Sequence, residues 1–212
     1  MASNDNLGSA DLGEVNLSKV TLSKATPSIT LTKPGEPQGI MRVNLNWSSG
    51  PKGFFRRAKP VDLDLGCLYE LSDGSKGVVQ AIGHNFGALQ AEPYIALDGD
   101  DRTGSAVSGE TMHINLARPE LFRRILIFAL IYEGVPNWAA ADGVVTLHPT
   151  AGPQIEVRLD SPVDGARSCV IALLQNQGTG ITVHREVQYI HGAQREIDQA
   201  YQWGMRWHNA RK

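Results

Sequence analysis

From residue 40 to residue 187 the chain is a train of short segments, apolar or alternating apolar with polar, parted by turn-forming residues. Ile40-Met41-Arg42-Val43-Asn44-Leu45-Asn46-Trp47 shows the alternation most plainly. Successive side chains of an extended strand point to opposite faces, so this pattern makes a half-buried strand. Segments 61–71, 77–82, 112–116, 124–132, 144–148, 155–159, 168–174 and 181–187 are of the same kind. Asp73-Gly74, Gly152-Pro153, Asp164-Gly165 and Gly178-Thr179-Gly180 supply turn signals. Many short strands at such spacing predict an all-β fold, a two-sheet antiparallel β-sandwich, rather than βαβ units. Only the end reads as helix. Ala193, Ile197, Ala200, Tyr201 and Gly204 form a weakly apolar stripe that predicts one C-terminal α-helix near 192–206, with Trp203 and Trp207 placed to clamp it to a sheet.

Residues 1–14 are polar and poor in bulky apolar side chains, which predicts a disordered N-terminal segment ahead of one domain over 15–212. Val15-Asn16-Leu17, Val20-Thr21-Leu22 and Ile29-Thr30-Leu31 are short β-like pieces, and Pro34-Gly35-Glu36-Pro37 is a turn. A net charge of −2 gives no strong attraction to nucleic acid. The apolar run 125–132 is too short to span a bilayer. The opening residues lack both a basic start and an apolar stretch, so a cytoplasmic location is expected. Cys67 and Cys169 each lie in an apolar segment and are expected to be buried, reduced and unbonded to each other.

Two acidic stretches stand out from this background. One is Val61-Asp62-Leu63-Asp64-Leu65-Gly66 and the other Leu97-Asp98-Gly99-Asp100-Asp101-Arg102-Thr103-Gly104, followed by Glu110. On a strand Asp62 and Asp64 project together while Leu63 and Leu65 face the other way. Clustered carboxylates repel unless a cation neutralises them, and they are the hard oxygen donors that Ca²⁺ prefers. Asp62, Asp64, Asp98, Asp100, Asp101 and Glu110 are therefore the candidate ligands. The EF-hand template does not apply. Arg102 stands at its fifth position, Thr103 at its required glycine, and Glu110 one residue late. The competing explanation is a pair of solvated acidic turns with Arg102 as counter-ion.

The same residues carry a family resemblance. Val61-Asp62-Leu63-Asp64-Leu65-Gly66-Cys67-Leu68, then Gly99-Asp100-Asp101-Arg102-Thr103-Gly104 and Glu110 before a strand, resemble the tellurium-resistance TerD-like family. The opening Val15-Asn16-Leu17-Ser18-Lys19-Val20-Thr21-Leu22 is similar as well. The likeness is nearest to the TerA branch through Ile131-Tyr132-Glu133-Gly134-Val135-Pro136-Asn137-Trp138, Ile155-Glu156-Val157-Arg158-Leu159-Asp160 and Met205-Arg206-Trp207. The resemblance implies a calcium-binding β-sandwich in the bacterial cytoplasm. It also implies a role in tellurite and stress resistance within a multi-protein assembly near the inner face of the membrane, with other tellurium-resistance proteins as partners. Two departures weaken the calcium expectation. Gly66 stands where the calcium-binding branch has Asp, and Ser105-Ala106-Val107-Ser108-Gly109 replaces its acidic run. One ion is expected rather than two, with an affinity on the order of 10⁻⁵ to 10⁻³ M, or none.

No catalytic elbow, phosphate loop or HExxH motif is present, so a non-catalytic protein is expected. Two alternatives remain. The Asp62/Asp64 pair is similar to the paired aspartates of metal-dependent phosphotransfer hydrolases, although those need an α/β frame. The loop Lys52-Gly53-Phe54-Phe55-Arg56-Arg57 pairs aromatics with cations as a peripheral membrane-binding module does. His84-Asn85-Phe86-Gly87 is a further loop candidate, and Glu133 is either an additional oxygen donor or a turn cap.

Overall fold

The structure is a computed structural model that describes residues 19–21, 28–31, 38–48, 61–99, 109–178 and 180–207. The segments 1–14 and 15–17, the turn at 34–37, the loop 52–57 and both Asp100 and Asp101 lie outside the described residues.

The strands form two sheets. One contains β1 (Lys19–Thr21), β3 (Ile40–Asn46), β6 (Gly87–Ala88), β7 (Ile95–Leu97), β8 (Glu110–Asn115), β10 (Gly143–His148) and β11 (Gln154–Leu159), in the order β1-β11-β10-β3-β8-β7-β6. The other contains β2 (Ser28–Thr30), β4 (Asp62–Leu71), β5 (Lys76–Gln80), β9 (Phe122–Glu133), β12 (Ser168–Asn176) and β13 (Ile181–Ile190), in the order β2-β13-β12-β9-β4-β5. Neighbours are antiparallel except β1 on β11, which is parallel. This is the predicted β-sandwich.

The two sheets use their faces differently. In the seven-stranded sheet Met41, Val43, Leu45, Met112, Ile114, Val145, Leu147, Ile155 and Val157 point inward and are buried, while their strand neighbours are mostly polar and less buried. That is the period-2 pattern of a sheet with one core face. The centre of the six-stranded sheet is covered on both sides. Leu63, Leu65, Cys67, Ile125, Ile127 and Ala129 enter the main core between the sheets. Leu68, Leu126, Phe128, Leu130 and Val170 face outward into a second core. The run 125–132 reads as continuously apolar because β9 is buried on both faces.

The second core is closed by α2 (Gln194–Ala200) and the segment after it, through Ile197 and Trp203, with Met205 and Trp207 half-buried at its margin. Each fully buried side chain of this size contributes about 1.5–3 kcal/mol. The helix is shorter than the predicted 192–206. Gln202 takes φ 52° and Gly204 φ 78°, and the Trp203 N–H returns to the Asp198 carbonyl, so the chain leaves the helical path there. The Asp198 carboxylate then accepts the N–H groups of Gly204 and Met205 and the Trp207 indole, which ties the tail down. Periodicity also missed α1 (Trp138–Ala141), a single turn capped by Asn137, whose side chain accepts the Ala140 N–H at 3.0 Å.

Candidate metal centre at the start of β4

The first four residues of β4 alternate as expected. Leu63 and Leu65 enter the main core, and Asp62 and Asp64 occupy the opposite face. Both aspartates are nearly withdrawn from solvent, at 6% and 1% exposure. Opposite Asp62 in register, across a β-bulge, stands Glu133 at the end of β9. Three carboxylates thus come from two adjacent strands at one end of the sheet.

The facing sheet brings in a fourth. β5 pairs with β4 only as far as Gly66, so among the described residues the earlier part of β4 has β9 on one side and no strand on the other. The Glu110 carboxylate, from the first residue of β8, fills that place and accepts the Leu65 N–H at 2.7 Å. Glu110 is 2% exposed and shares the inward face of β8 with Met112 and Ile114. Gly109 makes the approach possible. It has φ 61°, and a Cβ there would stand 2.1 Å from the Leu45 carbonyl oxygen.

Asp98 goes elsewhere. Its N–H bonds the Thr111 carbonyl, and its Oδ1 lies 3.0 Å from His113 Nδ1, on the outward side of the seven-stranded sheet. Its side chain is 59% exposed. Asp62 and Asp64 thus share one face at the start of β4 with Glu133 across from Asp62, Glu110 meets the β4 backbone at Leu65, and Asp98 faces away. Among the described residues no three His, Cys, Asp or Glu stand close enough to hold a metal ion by themselves. The donor chemistry fits a hard cation such as Ca²⁺, but the described side chains supply only part of the six to eight oxygens it takes.

The structure gives a physical reason for Gly66. It is opposite Phe128, and a Cβ added at residue 66 would lie 2.6 and 2.7 Å from two carbons of that ring. The phenyl group of the second core covers the position where the calcium-binding branch is expected to carry a carboxylate.

The comparisons with known proteins agree with this architecture. The chain is 46% identical over 192 residues to the tellurium resistance protein TerA of Alcaligenes sp, a match covering 88% of this chain and 56% of that protein. The chain belongs to the tellurium-resistance TerD-like family, near TerA. It spans little more than half the length of its TerA relative. No family model matches the sequence. Two crystal structures share the TerD-like fold. A protein of unknown function, SAV2460, superposes with TM-score 0.59 at 15% identity, covering 81% of this chain and all of that one. A homologue of the telluride resistance protein TerD, SCO6318 from Streptomyces coelicolor A3(2), gives TM-score 0.53 at 20% identity, covering 74% of this chain and 93% of that one.

One charged cluster of this TerD-like chain escaped the sequence. A bulge between Glu70 and Leu71 leaves Arg123 unpaired on β9, so consecutive arginines reach the same carboxylate. Arg123 Nη1 donates to Glu70 Oε1 at 2.9 Å and Arg124 Nε to Oε2 at 2.6 Å, with Lys76 Nζ 3.8 Å away. Arg124 also lies 3.8 Å over the Trp203 ring and donates to the Tyr201 carbonyl, fixing the turn after α2. Burial alone would raise the Glu70 pKa, but hydrogen bonding to Arg124 and the three cations outweigh it and lower it. Cross-strand register, which brings these residues together, leaves no mark in a single sequence.

Cys67 and Cys169 are fully buried and not bonded to each other. Burial pushes the Cys67 thiol up to about 12 and raises Cys169 as well. Both are poor nucleophiles while the fold is intact.

Proposed function

We propose that the chain is a non-catalytic, calcium-binding scaffold of a bacterial stress-response assembly, working in the cytoplasm with other tellurium-resistance proteins. The observation that carries the calcium part is the withdrawal of Asp62 and Asp64 from solvent side by side on one strand, with Glu133 opposite. Ionised carboxylates so placed repel, and a cation among them removes that cost. Asp62 and Asp64 would hold the ion. Asp100 and Asp101, in the acidic stretch of sequence between β7 and β8, are proposed to complete the donor set. Bound Ca²⁺ would supply positive charge and a crosslink between the strand and that stretch. Glu110 is engaged by the Leu65 N–H and would position β4 against β8 rather than carry the ion alone.

The sandwich frame supports a non-catalytic role. Paired-aspartate phosphotransfer chemistry needs an α/β frame, and the described residues form two antiparallel-dominated sheets. Among the described residues no helix is long and apolar enough to cross a membrane.

Melting temperature against Ca²⁺ up to several millimolar tests the proposal. Saturating ion should stabilise the fold by about 1.4–2.7 kcal/mol at ten to a hundred times Kd. Mg²⁺ should do less, because it dehydrates reluctantly and demands stricter geometry. Asp64→Asn combined with Asp100→Asn should remove the response. A wild-type protein indifferent to Ca²⁺ would end the calcium reading.

A further inference from the structure

We propose that the groove between β5 and the tail after α2 binds an extended, acidic peptide segment of a partner protein by strand addition. The proposal rests on the scaffold reading above, whose partner it describes chemically, and it does not involve the cation.

β5 is an edge strand, and its hydrogen-bonding phase can be worked out. Leu71 N–H bonds the Ser75 carbonyl at 2.9 Å, so Tyr69 and Cys67 form the hydrogen-bonded pairs with Gly77 and Val79. The backbone groups of Lys76, Val78 and Gln80 must then point away from β4. Asn85 occupies part of this edge. Its carbonyl accepts the Gln80 N–H at 2.8 Å and its side-chain amide donates to the Val78 carbonyl. Among the groups left, the Lys76 carbonyl and the Val78 N–H flank Gly77 on this edge, and among the described residues neither has a backbone partner. These two groups are what one residue of an added strand would engage.

A cavity of about 640 Å³ lies alongside. Val78 and Ile82 give it an apolar floor, and Met205 and Trp207, half-buried against the second core, give it a wall. Lys76 and Arg206 supply its charge, and among the described residues no Asp or Glu lines it. Lys76 is committed to the Trp203 carbonyl at 2.7 Å and stands near Glu70, while Arg206 is exposed with no carboxylate partner among the described residues. The wall is held firmly, because Asp198 binds the Trp207 indole and the Met205 N–H. An open backbone edge, an apolar pocket and an unneutralised arginine together select an extended segment. Its bulky apolar side chain enters the pocket, and an acidic one lies two residues along, on the same face.

A phage-displayed random decapeptide library panned against the protein in chelator tests this without calcium, so its outcome is separable from that of the ion. Enriched peptides should carry an acidic residue two positions from a bulky apolar one. Synthesised, they should shift the Gly77 and Val78 amides and the Trp207 indole in ¹⁵N spectra and slow exchange of the Val78 amide. Arg206→Glu should weaken them at least tenfold, and Arg206→Lys should largely retain binding. Absence of enrichment over bare support would overturn the proposal. So would selected peptides that leave Val78 and Trp207 unperturbed, or that bind Arg206→Glu as tightly as wild type.

Discussion

Glu70 shows how much a single side chain can hold. Its carboxylate is 3% exposed and takes two arginines, one of which also fixes the turn that closes the second core. Removing it strands Arg124 against Trp203, and Glu70→Gln should cost about 2–4 kcal/mol at pH 7. The pH dependence has a definite sign. The folded pKa lies below the usual value of 4.5, so the contribution is present above that value and is lost as pH falls through the lower folded one. Melting curves of wild type and Glu70→Gln should therefore converge in acid, and a constant gap down to pH 2.5 would refute the account. His148 also weakens the fold in acid, but because its charged form is disfavoured rather than because a favoured charge is lost. Burial, then the charge of Arg42 beside it in register, lowers its pKa from 6.5, so its protonation opposes folding as pH drops below that value. Arg42→Ala should raise the His148 pKa part of the way back, read from its ring resonances. At this scale the period-2 rule was enough to put Asp62 and Asp64 on one face. It could not foresee that Asp98 would turn to His113, because that pairing depends on β7 meeting β8 in one particular register.

Between elements, packing explains both what was legible and what was not. The strands were visible because each carries its own alternation or its own apolar run. The helix was overextended because its stripe continues to Gly204, while its actual end is set by the αL-like turn at Gln202 and the bonds to Asp198, which periodicity does not see. Gly66 looked like a lost ligand and is also a packing position. The Phe128 ring of β9 lies over it, joining β4 and β9 through the second core. Gly66→Ala should cost about 1–3 kcal/mol by overpacking. Phe128→Ala should cost about 3–5 kcal/mol by leaving a cavity. The two should not add, since the alanine at 66 meets no ring in the Phe128→Ala background. Urea denaturation of the four members of this cycle measures the coupling. Strict additivity would mean that the ring swings clear at no cost and that glycine is not required there.

At the largest scale the described residues form one sandwich whose thiols report on its opening. That it is a sandwich was readable from the strand train. That β1 and β2 join different sheets, with β1 pairing parallel to β11, was not, because pairing between distant segments is chosen by the assembled core and not by the local pattern. Cys67 and Cys169 come from β4 and β12, on either side of β9, and both are fully buried between the sheets. Neither can meet a reagent without separation of the two layers. If that separation is global, labelling by a thiol reagent at pH 8 should be a single phase, with both cysteines reacting together. It should be slower than in the unfolded chain by at least about 10³-fold, given ordinary domain stabilities of about 5–15 kcal/mol. Where reclosing outruns labelling, the rate follows the open population, so bound Ca²⁺ at ten times Kd should slow both thiols about elevenfold. Asp64→Asn with Asp100→Asn should abolish that slowing. Cys67 lies three residues beyond Asp64 on the same strand, which makes a local effect distinguishable from a global one. Slowing confined to Cys67, with Cys169 unchanged, would mean that the ion secures only the start of β4. Equal slowing of both would show that the acidic end of β4 stabilises the sandwich as a unit, as a scaffold that responds to calcium requires.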